Sequence, residues 1–204
     1  MIRAEVPQGS TVLEFGSVPL LLTSALASSN YKVTGIDIAP ERYESTIEKI
    51  GIDVVKCDIE TEELPFESSS FDAVVFNELF EHLRMNPIFT LSEVLRVLKP
   101  GGIMMLSSPN LRSLNGIYNF LLRNRAYSCS GNVYEEYQKL GKLGHMGHVR
   151  EYTTTEVIEF LNDIGFDVTS VIYRGRFGTS VKQLLARVFP SLRPFVSYVS
   201  RKPK

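Results

Sequence analysis

The strongest constraint on this chain is an alternation. Apolar runs of strand length, "TVLEF", "YKVTGIDI", "IDVVKCD", "FDAVVFN" and "GIMMLSS", are separated by segments of helical period. Among these are "VPLLLTSALASS", "PERYESTIEKI" and a stretch ending in "LSEVLRVL". Strand and helix taken in turn require right-handed crossovers, which lay the strands parallel and put helices on both faces of the sheet. The predicted class is therefore α/β, doubly wound. The punctuation agrees. Pro40 suits a first helical position, Asn86 followed by Pro87 reads as an N-cap and first turn, and Lys99-Pro100-Gly101-Gly102 stops a helix before the fifth strand.

Past Asn110 the alternation lapses. "LRSLNGIYNFLLRNR" has the pattern of an amphipathic helix, and "AYSCSGNVYEEYQKLGKLGHMGHVREY" reads as a long irregular connection rich in tyrosine and glycine. Long connections in compact domains are commonly functional, so residues 111–150 are the expected cover over a site. Regular structure resumes with "TTTEVIEFLNDIGF", where a threonine caps a helix closed by Gly165, and with the strands "DVTSVIY" and "PFVSYVSRK". The 204 residues suffice for a continuous core without metal or disulfide staples, and residues 1–204 read as a single domain.

No apolar run approaches the roughly 20 residues of a membrane-spanning helix. The stretch "MIRAEVPQGS" lacks the apolar segment of a secretory signal, and Cys57 and Cys129 show no metal or redox spacing. The expectation is a cytoplasmic chain whose two cysteines are buried as small hydrophobes. Charge is more informative when divided. Residues 1–109 hold 16 acidic and 8 basic side chains, and residues 110–204 hold 7 acidic and 14 basic, within a net charge of −1. A basic second half suits either a solvated surface or an anionic partner such as a phosphorylated lipid, a nucleotide-linked sugar or RNA.

In a doubly wound sheet the ligand lies beyond the carboxyl ends of the strands. Those ends carry Glu14 and Gly16, Asp37, Asp58, and Asn77 in turn. An acid after the second strand can accept both hydroxyls of a ribose, and one after the third can accept from the amine of adenine. Helix capping or turn formation would also place acids there.

In these residues the chain resembles the class I S-adenosylmethionine-dependent methyltransferases. The resemblance runs in order through "VLEFG", "GIDIAP", "CDIETEELPFESSSFDAVVFNELFEHL", "EVLRVLKPGGIMMLSSPN" and "REYTTTEVIEFLNDIGF". It implies a mostly parallel seven-stranded sheet and S-adenosylmethionine as cofactor. Asp37, with Ile38, would hold the ribose. Asp58 and Ile59 would border the adenine, and Glu14, Gly16 and Asn77 would complete the cofactor contacts. The family's first turn is acid-x-Gly-x-Gly-x-Gly, whereas its glycine positions here hold Gly16, Val18 and Leu20. Glycine serves there through positive φ and close backbone approach. Val18 must therefore impose another turn or point its methyls toward the pocket at negative φ.

Within "NELFEHL", Glu78, Glu81 and His82 are spaced i, i+3, i+4, so a helix would bring two carboxylates and an imidazole onto one face. Such a set chelates a divalent ion, Mg²⁺, Mn²⁺ or Zn²⁺. His145 and His148 lie in the irregular connection and are candidates to close the site. The pattern resembles the metal-dependent O-methyltransferases of ubiquinone biosynthesis and of small-RNA 3′ ends, and on the following "REY" His148 matches the fourth ligand. His82 and His148 are thus the catalytic candidates. Without metal, His82 serves as a general base or as a helix cap paired with Glu78. Leu79, Phe80 and Leu83 are expected in the core. Tyr118, Tyr127, Tyr134 and Tyr137, with Arg123, Arg125, Lys139 and Lys142, are candidates for gripping an acceptor. Three functions follow: O-methylation of a small, lipid-linked or sugar-containing acceptor, RNA 2′-O-methylation, or a catalytically silent binding domain.

Overall fold

The computed structural model describes residues 2–143, 147–178 and 180–204. Its strands are β1 (Thr11–Phe15), β2 (Lys32–Asp37), β3 (Val54–Lys56), β4 (Phe71–Asn77), β5 (Leu98–Pro109), β6 (Asp167–Arg174) and β7 (Phe195–Arg201). They form one sheet in the order β3-β2-β1-β4-β5-β7-β6, parallel throughout except for β7, which runs antiparallel to both neighbours. The predicted doubly wound, mostly parallel seven-stranded sheet is the one observed.

The helices are α1 (Ile2–Glu5), α2 (Leu21–Ala27), α3 (Glu44–Ile50), α4 (Pro87–Val97), α5 (Leu114–Arg123), α6 (Val133–Leu143), α7 (Thr154–Ile164) and α8 (Ser180–Val188). Alternating strand residues feed two cores, because successive side chains point to opposite faces. Leu13, Phe15, Val74, Phe76, Met104 and Leu106 pack with α4 and α7 on one face. Val12, Ala73, Val75, Ile103 and Met105 pack with Leu26 of α2 on the other. Buried on both sides, the central strands read as continuous apolar runs for this reason.

Local signals account for the helix ends. The Asn86 side chain accepts from Phe89 N–H, with Pro87 in the first turn. Thr153 and Glu156 form a reciprocal capping box, and Gly165 closes α7 at φ +109°. Pro40 opens a 3₁₀ turn, Pro40–Tyr43, that runs into α3.

Four expectations change. The connection after Ala126 is not wholly irregular, because "VYEEYQKLGKL" forms α6. Helix α8 lies outside the elements expected from the sequence. "NELFEHL" does not form an α-helix. Glu78 takes a left-handed conformation, φ +49°, only Phe80–His82 turn as a 3₁₀ helix, and Leu83 is already extended. Finally, Cys57 is buried but Cys129 is exposed, its thiol donating to Glu151 at 3.3 Å. No helix among the described residues is long and apolar enough to cross a membrane.

Candidate functional site

From β1 the chain proceeds outward through β2 and β3 on one side, then returns to place β4 and β5 on the other. The sheet order therefore reverses between β1 and β4, and a crevice opens there beyond the strand ends. A cavity of about 200 Å³ occupies it. Of the residues expected to meet a cofactor, Gly16, Asp37, Ile38, Asp58 and Ile59 line this cavity, together with Glu78 and His82. Glu14 and Asn77 do not. Asn77 is exposed and accepts from the Ser107 hydroxyl. Phe80 and Leu83 are core, as expected, and Leu79 packs against that core; Leu79 and Leu83 also line the cavity.

The altered turn retains much of the glycine-type backbone. Gly16 keeps φ +63°, and Leu20, at the third glycine position, stands at φ +71°. Val18 is not among the positive-φ residues and lines the cavity, and its bond to Pro19 is cis. The Val18 N–H donates to one Asp37 oxygen at 3.2 Å, and the Ala39 N–H donates to the other at 3.0 Å. Arg42 lies 3.6 Å from that second oxygen. A carboxylate offers about four acceptor positions, so Asp37 serves the turn and retains capacity toward the cavity. Beneath the turn, Glu14 is buried and its Oε2 has no hydrogen-bond partner among the described residues. Burial pushes its carboxyl up to about 7, and the Thr23 hydroxyl offsets only part of this.

A second constellation borders the cavity. Glu81 is fully buried, and neither of its carboxylate oxygens has a partner among the described residues. Burial lifts its carboxyl to about 8, and the negative charges of Glu78 and Glu151 add to the shift. One ligand atom from each of Glu81, His82 and His148 lies within 4.8 Å of the others, and the two imidazoles meet edge to face at 4.7 Å. His82 Nδ1 lies 3.0 Å from the Gly147 carbonyl. A carbonyl only accepts, so Nδ1 carries the proton and Nε2 is the basic nitrogen. Glu78 stands outside this trio, accepting from Ser107 at 2.7 Å and lying 3.6 Å from Arg174. The helical face is absent, yet Glu81 and His82, within the 3₁₀ turn, still bring one ligand atom each within 4.8 Å of one another and of His148. His145 lies outside the described residues.

Two acids escaped the sequence reading. Glu151 is buried and accepts from the backbone N–H groups of Ser128, Cys129 and Ser130 at 2.6, 3.3 and 3.1 Å, and from the Ser130 hydroxyl at 2.8 Å. His148 Nδ1 stands 3.6 Å away. Burial raises the Glu151 carboxyl, but the hydrogen bonds from His148, Ser128 and Ser130 prevail and hold it at about 2. It is thus an anion that ties the start of the connection to the imidazole beside Glu81. Glu60, also buried, accepts from the Met85 N–H at 2.7 Å and Arg84 Nε at 3.1 Å, fixing the chain after the 3₁₀ turn. Only their adjacency in the fold, not any spacing, marks these two.

Residues 13–106, which span the crevice-forming strands and Glu81–His82, match the model of the methyltransferase domain. The matched span, just under half of the chain, is similar to the methyltransferase domain family. Among curated relatives, a ubiquinone biosynthesis O-methyltransferase of Xanthomonas campestris pv. campestris is 35% identical over 114 residues. That match covers 53% of this chain and 46% of the relative, so the chain spans about half the length of the curated relatives it matches. Among solved structures, a putative methyltransferase from Bacillus halodurans superposes with a TM-score of 0.66 at 19% identity, covering 100% of this chain and 97% of that one. The [4+2]-cyclase SpnF superposes with a TM-score of 0.65 at 16% identity, covering 97% and 76%. These likenesses establish the fold, and the chemistry has to be argued from the site.

Proposed function

We propose that the crevice binds S-adenosylmethionine and that the domain transfers its methyl group to a hydroxyl of a small, lipid-linked or sugar-containing acceptor. A divalent metal held by Glu81, His82 and His148 would assist. The observation that carries the metal is the Glu81 carboxylate, buried between carboxylates with neither oxygen hydrogen-bonded among the described residues, and facing two imidazoles. A buried charge in that state is costly, and a cation supplies the missing partner. The mixed oxygen and nitrogen donors suit Mg²⁺, Mn²⁺ or Zn²⁺.

When bound, the cofactor supplies an electrophilic methyl group and the metal orients a hydroxyl and lowers its pKa. The chain itself supplies alignment, which is what an in-line displacement most requires. Asp37 stands where a ribose diol would be accepted, and Ile38, Ile59 and Leu79 give the cavity apolar walls. His82, with Nδ1–H pinned on Gly147, presents a basic Nε2. Glu151 and Ser130 hold His148 against it.

Calorimetric titration with S-adenosylmethionine tests the first part. Binding that weakens at least tenfold in Asp37→Ala is expected, and no heat with no thermal shift for the unaltered chain would instead leave a silent binding domain. Elemental analysis after supplementation with Mn²⁺ or Zn²⁺ tests the second. About one ion per chain, lost in Glu81→Ala, is expected, and a metal-free chain removes the proposal for those ions.

A further inference from the structure

Helix α8 faces the wrong way for a core helix. Val181, Leu184, Leu185 and Val188 recur at i, i+3, i+4, i+7, the spacing that normally packs inward. All four are exposed, Val181 to 71% and Leu184 to 62%, while the sole buried residue described in the helix is Ala186. Helix α5 repeats the pattern: Tyr118, Leu121 and Leu122 share one side, and all are exposed, as is Phe120 beside them. The two helices are neighbours. Lys182 Nζ of α8 donates to Asn115 Oδ1 of α5 at 2.8 Å and stands 6.0 Å from the Tyr118 ring.

Charge selects the occupant. Neither residues 111–134 nor residues 168–204 contain a single acid. Arg112, Arg123, Arg125, Arg176 and Arg187, in or next to these helices in the sequence, are exposed, and the Arg123 guanidinium stands 5.2 Å from the Tyr118 ring. A second copy docking symmetrically would set this acid-free surface against itself and bring cations together. A surface of exposed aliphatic and aromatic side chains among cations is matched by an anionic bilayer, with apolar interior below and phosphate at the boundary. Position agrees. Helix α5 follows the carboxyl end of β5 and α8 follows that of β6, and these strands run the same way because each is antiparallel to β7. Both helices therefore stand at the edge where the crevice opens, and Arg174 at the end of β6 reaches within 3.6 Å of Glu78.

We propose that α5 and α8 dock this chain on an anionic lipid surface, with the crevice at the lipid boundary. The inference does not depend on the proposed methyl transfer. It is tested by co-sedimentation with vesicles of equal parts phosphatidylcholine and phosphatidylglycerol, compared with phosphatidylcholine alone. Binding to the anionic vesicles that weakens with added salt is expected, with roughly a fivefold loss for each of Arg123→Gln and Arg187→Gln. The double variant Leu121→Ser, Leu184→Ser should lose at least tenfold while its thermal melting matches the parent, since both side chains start exposed. Asp37→Ala and Glu81→Ala should sediment like the parent, which separates this result from failure of the active-site reading. Absence of binding to anionic vesicles at low salt, or binding that the double variant does not alter, overturns the proposal. So does a dimer in analytical ultracentrifugation that the double variant dissolves, because the face would then belong to a second copy.

Discussion

Glu14 gives the sharpest test of how the crevice floor is built. Its carboxyl is buried, lacks a partner on Oε2 among the described residues, and is raised by that burial from 4.5 to about 7. A raised carboxylate binds its proton in the folded state at pH values where the unfolded chain has released it. Stability is therefore unaffected below about pH 4.5, falls by about 1.4 kcal/mol per pH unit up to about pH 7, and then levels off. Between pH 5 and pH 8 this residue should remove about 2 to 3 kcal/mol. Glu81 titrates with the same sign, so the parent's pH dependence alone does not isolate Glu14. The difference between the parent and Glu14→Gln does, because the amide has the same shape and no charge to bury. Urea denaturation at both pH values is the assay. The variant should gain on the parent by about 2 to 3 kcal/mol from pH 5 to pH 8. An unchanged difference would mean that water or a counter-charge reaches Glu14, and the dry floor would be refuted.

Two further outcomes follow from the polar anchors. Glu151→Ala leaves the Ser128, Cys129 and Ser130 N–H groups without their acceptor, and should cost about 3 kcal/mol in denaturant melts. Because the folded carboxyl titrates at about 2, its charge contribution is present above about pH 4.5 and lost as pH falls through 2, so the variant should show a shallower acid transition than the parent. Thr153→Ala breaks the capping box of α7 and should lower stability by about 1 kcal/mol, with a thermal shift of roughly 2 to 4 °C for a chain of this size.

The parallel half of the sheet was legible because each of its features is local. Strands buried on both faces need continuous apolar runs, and crossovers need helices with caps such as Asn86 and Thr153. The cavity-lining role of Asp37 and Asp58 follows from where parallel strands end. Beyond Asn110 the governing contacts are distant in sequence. Glu151 acts on Ser128 through a loop, and nothing in either residue's neighbourhood announces the pairing. Helix α8 was illegible for a different reason. Periodicity signals an apolar stripe but not which way it faces, and here the stripe faces out. The turn at Phe80–His82 failed as a helix because Glu78 adopts φ +49° so that its carboxylate meets Ser107. That tertiary contact outweighs the i, i+3, i+4 spacing.

The loss of two glycines from the first turn changes residues more than it changes backbone. Leu20 occupies a glycine position and still holds φ +71°, a left-handed conformation that costs an L-residue about 1 to 2 kcal/mol. Its side chain is 1% exposed, and burying a leucine returns about 1.5 to 3 kcal/mol. Burial therefore offsets strain, and the turn keeps its shape with a bulky residue in place. The ordering of two truncations checks this balance. Leu20→Ala loses the burial but keeps the strain, whereas Leu20→Gly loses the burial and releases the strain. The glycine variant should then be the more stable of the two by about 1 kcal/mol in equilibrium unfolding, in the same direction as the preference for glycine over alanine at the N-cap position that Leu20 occupies. If alanine proves the more stable, the left-handed geometry at Leu20 is not what the chain adopts in solution, and the degenerate turn has a different shape.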